Sequence, residues 1–186
     1  MKTVIPLGVV GFLSGLMAIV PIWFVGDSFA LPGSTEYLRY QMFNRIMAFL
    51  LAFQMCSIFA FLLGRQAVLT RVDKRVLTIA LVAWAAMSIG TAAEFWLYSD
   101  LPYPRSPADF NMRTAAFALF LLGSLIAGVA NLLLALRPST SNVLSHIFRV
   151  ILVLHLPLFV ASFPVGFSIF IAPALASMAV AVLALI

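Results

Sequence analysis

Charge is what this sequence has least of. Only 9% of its 186 residues are Asp, Glu, Lys or Arg, and 64% are hydrophobic, with a mean hydropathy of +1.14; soluble domains carry about a quarter charged residues. Water is therefore excluded as the principal solvent. Cysteine is nearly absent, and the single Cys56 rules out an intrachain disulfide and any cysteine-cluster metal site. Histidine occurs twice, as His146 and His155. On one helix the two would sit about 13.5 Å apart along the axis and on nearly opposite faces, so they cannot sandwich one haem iron. Walker, Rossmann, zinc-binding-helix and kinase patterns are missing. Gly26-Asp27-Ser28 begins like a hydrolase serine motif, but no histidine lies on the same side of the membrane to act as base. No catalytic group, metal or cofactor is expected.

What the sequence has instead is long apolar runs. They cover roughly residues 4–25, 42–63, 76–98, 114–136 and 143–186. Backbone amides left unpaired in hydrocarbon cost several kcal/mol, so only helices or closed barrels span a membrane, and these runs far exceed the ~10 alternating residues of a barrel strand. The last run would make a helix of about 66 Å, twice the ~30 Å hydrocarbon core, so the chain must turn back within it. Its one Pro/Gly cluster, Ser162-Phe163-Pro164-Val165-Gly166, predicts the turn and divides it into spans at 143–162 and 167–186. The expected fold is an all-α transmembrane bundle of six helices in one membrane domain, 1–186, with five spans as the alternative. Lys2, the first apolar run and Ser28-Phe29-Ala30 have the outline of a signal peptide. A run of about 22 residues nevertheless exceeds the ~7–15 of a signal core and reads as a span.

Loop charge sets the orientation. Lys2, the group Arg65, Arg71, Lys74 and Arg75, and the pair Arg137 and Arg149 fall on one side; Arg39, Arg45, Arg105 and Arg113 fall on the other, diluted by Asp27, Glu36, Asp100 and Asp109. The positive-inside rule makes the first side cytoplasmic, N-terminus included, in a plasma membrane. The net charge of +5 is thus topogenic, and its spread over short loops excludes nucleic acid as a partner. Trp23, Tyr37, Tyr40, Trp96, Tyr98 and Tyr103 gather on the outer side at headgroup level.

The two outer loops share an ordered set of residues. Trp23 and Asp27 recur as Trp96 and Asp100, Leu31-Pro32 as Leu101-Pro102, Phe43-Asn44 as Phe110-Asn111, and Ala48-Phe49 as Ala116-Phe117. A tandem duplication of a two-helix hairpin accounts for this. Convergence on common interface residues accounts for it equally.

Candidate working residues are few. Arg45 and Glu94 each lie about one turn inside the outer end of a span, on faces otherwise made of small residues such as Ala48, Ala52 and Gly90. Small faces let helices approach closely, so both charges are drawn inward, toward a pocket completed by Tyr98 and Arg113. Snorkelling of Arg45 to headgroups, with Glu94 simply meeting Arg113 beside the loop, is the plain alternative. His155 falls mid-span just before Pro157, which cannot donate to the carbonyl of Val153 and so bends the helix. It is suited to a lipophilic ligand or a proton relay, or simply to a hydrogen bond with Gln54 or Asn131. Gly11-x-x-x-Gly15 and the face of Gly123, Ser124, Ala127, Gly128 and Asn131 are packing signals, whether within the chain, in a homo-oligomer or toward a membrane-protein partner. Arg65 to Arg75 is a topogenic cluster suited also to anionic lipid.

These features lead to an accessory subunit or helix-packing partner in a membrane complex. The alternatives are a small transporter or lipophilic-ligand-binding protein, or an intramembrane lipid or isoprenoid enzyme, working through the outer polar pocket. The orientation is open to direct test: in intact cells, Thr70→Cys should resist an impermeant thiol reagent and Ser106→Cys should react. The reverse pattern would invert the topology.

Overall fold

A computed structural model describes residues 2–19, 33–97, 107–137, 143–165 and 168–186. The described residues are helical, without strands: α1 (Val4–Ile19), α2 (Thr35–Gly64), α3 (Arg71–Ala92), α4 (Pro107–Ala135), α5 (Val143–Val153), α6 (His155–Val165) and α7 (Ile171–Leu185). A π-helical turn, Ala93–Leu97, prolongs α3. Four helical stretches, Thr35–Gly64, Arg71–Trp96, Phe110–Ala135 and Val143–Phe163, are long and apolar enough to cross a membrane; α1 and α7 are shorter apolar helices.

Caps start the helices earlier than hydropathy does. Gly33 takes a left-handed φ of 85°, and Ser34 then accepts the amide of Tyr37 at 3.2 Å to open α2. At α3 the Thr70 hydroxyl accepts the Asp73 amide at 3.2 Å, while the Asp73 carboxylate accepts the Thr70 amide at 3.0 Å. This reciprocal capping box satisfies two amides that would otherwise lack partners. α4 opens on Pro107, whose missing amide costs nothing in the first turn. An apolar run marks only what hydrocarbon demands, so it is blind to these polar first turns.

The helical stretch before Pro157 is interrupted at one residue, next to the Val153 carbonyl that Pro157 cannot pair. α5 stops at Val153, Leu154 forms a turn, and α6 resumes at His155. The chain then reverses between Val165 and Ile171, a little beyond the expected cluster and partly outside the described residues. The reversal follows from the cavity at the far end, where Ser145 and Arg149 of α5 meet Val180 and Leu183 of α7.

Consecutive helices pack against each other, and α7 closes the assembly by packing on α1, α2, α5 and α6. It is buried on nearly every side, through Ala172, Ala174, Ala176, Ser177, Ala179, Val180 and Ala181. Alanine is the size that lets four neighbours approach one helix. Ser177 Oγ donates to the Gly11 carbonyl at 2.9 Å and lies 3.0 Å from Ser57 Oγ, so Ser57 is left to donate to Ser177. At the opposite end of α7, Phe170 packs edge-on against Phe43 and Phe120, with centroids 6.0 and 5.3 Å away.

The small-residue faces are filled by this chain's own helices. A methyl at Gly15 would come within 2.7 Å of the Ala174 carbonyl, at Gly90 within 2.6 Å of the Ala116 carbonyl, and at Gly123 within 2.6 Å of the Ala83 carbonyl. α1–α2 and α3–α4 are both close pairs. Trp23, Asp27, Leu31, Pro32 and the matching loop residues 100–102 lie outside the described residues, so the hairpin duplication stays an expectation.

Two glycines one turn apart should respond oppositely. At Gly11 a methyl would meet Ser57 Oγ at 2.0 Å and the Ser57 backbone nitrogen at 2.6 Å, whereas at Gly8 it would meet Leu185 at an ordinary 3.5 Å. Gly11→Ala should destabilise the protein by about 1–3 kcal/mol through overpacking. Gly8→Ala should be neutral or stabilise by up to about 1 kcal/mol, as alanine favours helix. Thermal unfolding in mild detergent measures both.

Candidate functional site

The cluster around Arg45 forms where α2 meets the π-helical turn. Arg45 Nε donates to the Phe95 carbonyl at 2.8 Å, and its guanidinium carbon stands 5.4 Å from the centre of the Trp96 ring. Tyr40 meets Phe95 edge-on at 5.5 Å, and Phe49 meets Trp96 at 5.8 Å. Arg45 is thus held by a backbone acceptor and an aromatic face. Glu94, half-buried beside them, lies within electrostatic reach of Arg113 of α4. Arg45, Glu94 and Arg113 therefore gather at one end of the bundle, as their positions in the spans suggest. Tyr98 lies outside the described residues.

His155 belongs elsewhere. It is 1% exposed, and its Nδ1 receives the Asn131 amide nitrogen at 3.1 Å. Asn131 follows Arg113 by 18 residues on α4, roughly 27 Å along the axis. His155 accordingly does not share a site with Arg45, Glu94 and Arg113. An imidazole accepting at Nδ1 carries its proton on Nε2, which faces the Ser124 backbone of α4 as its hydrogen-bond partner. Gln54, Trp84 and Ser124 bury side-chain polar atoms without a hydrogen-bond partner among the described residues. Groups of this kind are the usual seats of internal water.

A cavity lies at the end opposite to Arg45. It measures about 320 Å³, and its polar lining is Arg65, Arg137, Arg149, Asp73 and Ser145. Phe61, Leu69, Leu134, Leu152, Val180 and Leu183 form its apolar wall. Its arginines are where they are because helix C-termini leave carbonyls without partners. Arg65, the C-cap of α2, reaches the Leu183 carbonyl at the end of α7 at 3.3 Å. Arg149 of α5 reaches the carbonyls of Ala135 and Arg137 at the end of α4. Arg137 closes on Asp73 at 2.8 Å, and Asp73 is itself held by the α3 capping box.

Arg65 and Arg149 make no ion pair among the described residues, and they are near enough to repel each other. Arg149 Nε is buried with no partner there. A guanidinium has five N–H donors, and carbonyls occupy only some of them here. The arrangement can hold an anionic, hydrogen-bond-accepting group against an apolar wall. By charge pattern alone these arginines are topogenic, with Arg65 in a cluster suited also to anionic lipid. The usable signal was that Arg65, Arg137 and Arg149 end or begin spans on one side, so any antiparallel bundle gathers them at one end.

No protein-family model, no curated protein and no solved structure matches this chain.

The His155–Asn131 bond yields a measurable coupling. His155→Leu and Asn131→Leu each strand one buried partner, so the double variant should be more stable than the two single losses sum to. The expected coupling is about 0.6–1.7 kcal/mol, the range of interhelical hydrogen bonds in membranes. Additive losses in a detergent unfolding cycle would remove the bond.

Proposed function

We propose that this chain is a six-span integral protein of the plasma membrane, N-terminus cytoplasmic, that binds a lipophilic ligand in the cavity beside Arg65 and Arg149. The cavity carries the reading: ligand sites are concave and mostly apolar with a few convergent polar groups, and about 320 Å³ falls at the small end of their range. Support for the membrane setting comes from large apolar side chains turned outward all around the bundle. Leu13, Phe49, Val82, Leu122 and Val150 are 48–65% exposed, far more apolar surface than a soluble monomer tolerates. The short α7 fits this setting, because neighbouring helices rather than lipid enclose it.

The small-residue faces, already filled from within, lend less support to a helix-packing partner than the glycine motifs alone did. One feature favours an accessory-subunit role as a second reading: an apolar groove of about 280 Å³ on the α3–α4 face, lined by Ile79, Leu125, Ile126, Val129 and Leu133. A partner helix or a lipid chain fits such a groove.

Native mass spectrometry of the protein released from mild detergent tests the ligand reading. A lipophilic molecule should remain bound at one per chain. Val68, 72% exposed on the rim of the cavity, can be enlarged without disturbing the core. Val68→Trp should abolish retention while leaving helix content unchanged. Equal retention by both proteins, or none by either, would overturn the reading.

A further inference from the structure

The charge and shape of the cavity specify the chemistry of its occupant. Three arginines line it against a single aspartate, and that aspartate is committed to Arg137 and to the Thr70 cap. Two guanidiniums, those of Arg65 and Arg149, therefore make no ion pair among the described residues. Both sit at the junction between the polar end of the bundle and an apolar wall formed by Phe61, Leu134, Leu152 and Leu183. Like charges brought together in a partly buried cleft repel, and an anion between them removes that repulsion.

A neutral lipophile would leave both guanidiniums uncompensated, and a free anion would leave the apolar wall uncovered. A single molecule with an anionic head and an apolar tail satisfies both halves. Guanidiniums match phosphate oxygens with parallel N–H donors, and basic pockets between helices at the cytoplasmic side suit anionic headgroups.

We infer that the cavity is a binding site for one anionic phospholipid, its phosphate held between Arg65 and Arg149 and its acyl chains leaving along the Phe61–Leu134–Leu152 wall. This rests on the ligand-binding reading above and adds the headgroup class to it. The carbonyls of Ala135, Arg137 and Leu183 hold the two guanidiniums in position, so the donors are preorganised before the lipid arrives. Arg137 is a positioning residue, because its charge is spent on Asp73. Binding there would also tie the ends of α2, α4, α5 and α7 together, and so should be visible as thermal stabilisation.

The experiment uses the purified full chain in mild detergent, stripped of lipid, with thermal unfolding and native mass spectrometry as readouts. Phosphatidylglycerol, phosphatidylcholine with the same acyl chains, and inorganic phosphate are added in separate arms. Phosphatidylglycerol should bind at one per chain and raise the unfolding temperature, phosphatidylcholine should bind more weakly, and phosphate alone should do neither. Arg65→Gln and Arg149→Gln should each weaken phosphatidylglycerol binding roughly five- to tenfold, the value of one basic residue at an anionic headgroup. Arg149→Lys, which keeps the charge, should recover part of the loss. Arg75→Gln, outside the cavity, should change nothing. Should Arg149→Gln fail to fold, Arg65→Gln carries the test, because its guanidinium makes a single described backbone contact.

Equal binding of the two lipids, blocked in both cases by Val68→Trp, would overturn the headgroup assignment and leave the ligand-binding reading standing. Lipid binding indifferent to Val68→Trp would overturn both. Binding of inorganic phosphate at the affinity of phosphatidylglycerol would make this a phosphate site and overturn the lipid assignment.

Discussion

Everything in this bundle depends on how closely three helices approach where Gly11, Ser57 and Ser177 meet. There is no room for a side chain at Gly11, since a methyl would fall 2.0 Å from Ser57 Oγ. The absent side chain leaves the Gly11 carbonyl open to two hydroxyls, Ser177 Oγ and Ser14 Oγ, each at 2.9 Å. In an apolar surround no water competes for these bonds. Close packing and interhelical hydrogen bonds take over the role that hydrophobic burial has in soluble proteins.

From that junction the rest of the architecture follows. Locking α7 between α1 and α2 puts its C-terminal end beside α5, and the end of the bundle is then ringed by helix termini. Their unpartnered carbonyls recruit Arg65 and Arg149, and those arginines in turn create a positive cleft over an apolar wall. The candidate binding site is thus a by-product of capping. Residues selected to finish helices and fix topology become, once gathered, a recognition surface.

The two ends of the molecule handle charge differently. At the Arg45 end the guanidinium is satisfied by the Phe95 carbonyl and the Trp96 ring, and Glu94 lies within reach of Arg113. At the Arg65 end, positive charge exceeds negative, and two guanidiniums wait on backbone carbonyls alone. His155 and Asn131 pair in the interior, one helical turn from Leu152 and Leu134 of the cavity's apolar wall and far from the Arg45 end. The first end resembles a finished interface anchor. The second is the one with unused binding capacity.

The sequence by itself determined the helical class, the apolar runs, the helix break before Pro157 and the reversal after Ser162, because hydropathy and proline chemistry act locally. It also carried the His155–Asn131 pairing as one of a few options, since a mid-span imidazole has few polar groups to choose from. Helix starts at Thr35 and Arg71 were less legible, as a short polar cap leaves no trace in an apolar average. What only the tertiary structure decided was which glycine faces are consumed within the chain, and which charges come together. Arg65 and Arg149 are 84 residues apart in sequence, and no periodicity links them. Their proximity comes from α7 folding back into the centre of the bundle, a long-range packing choice set by alanine and serine contacts that no single segment encodes.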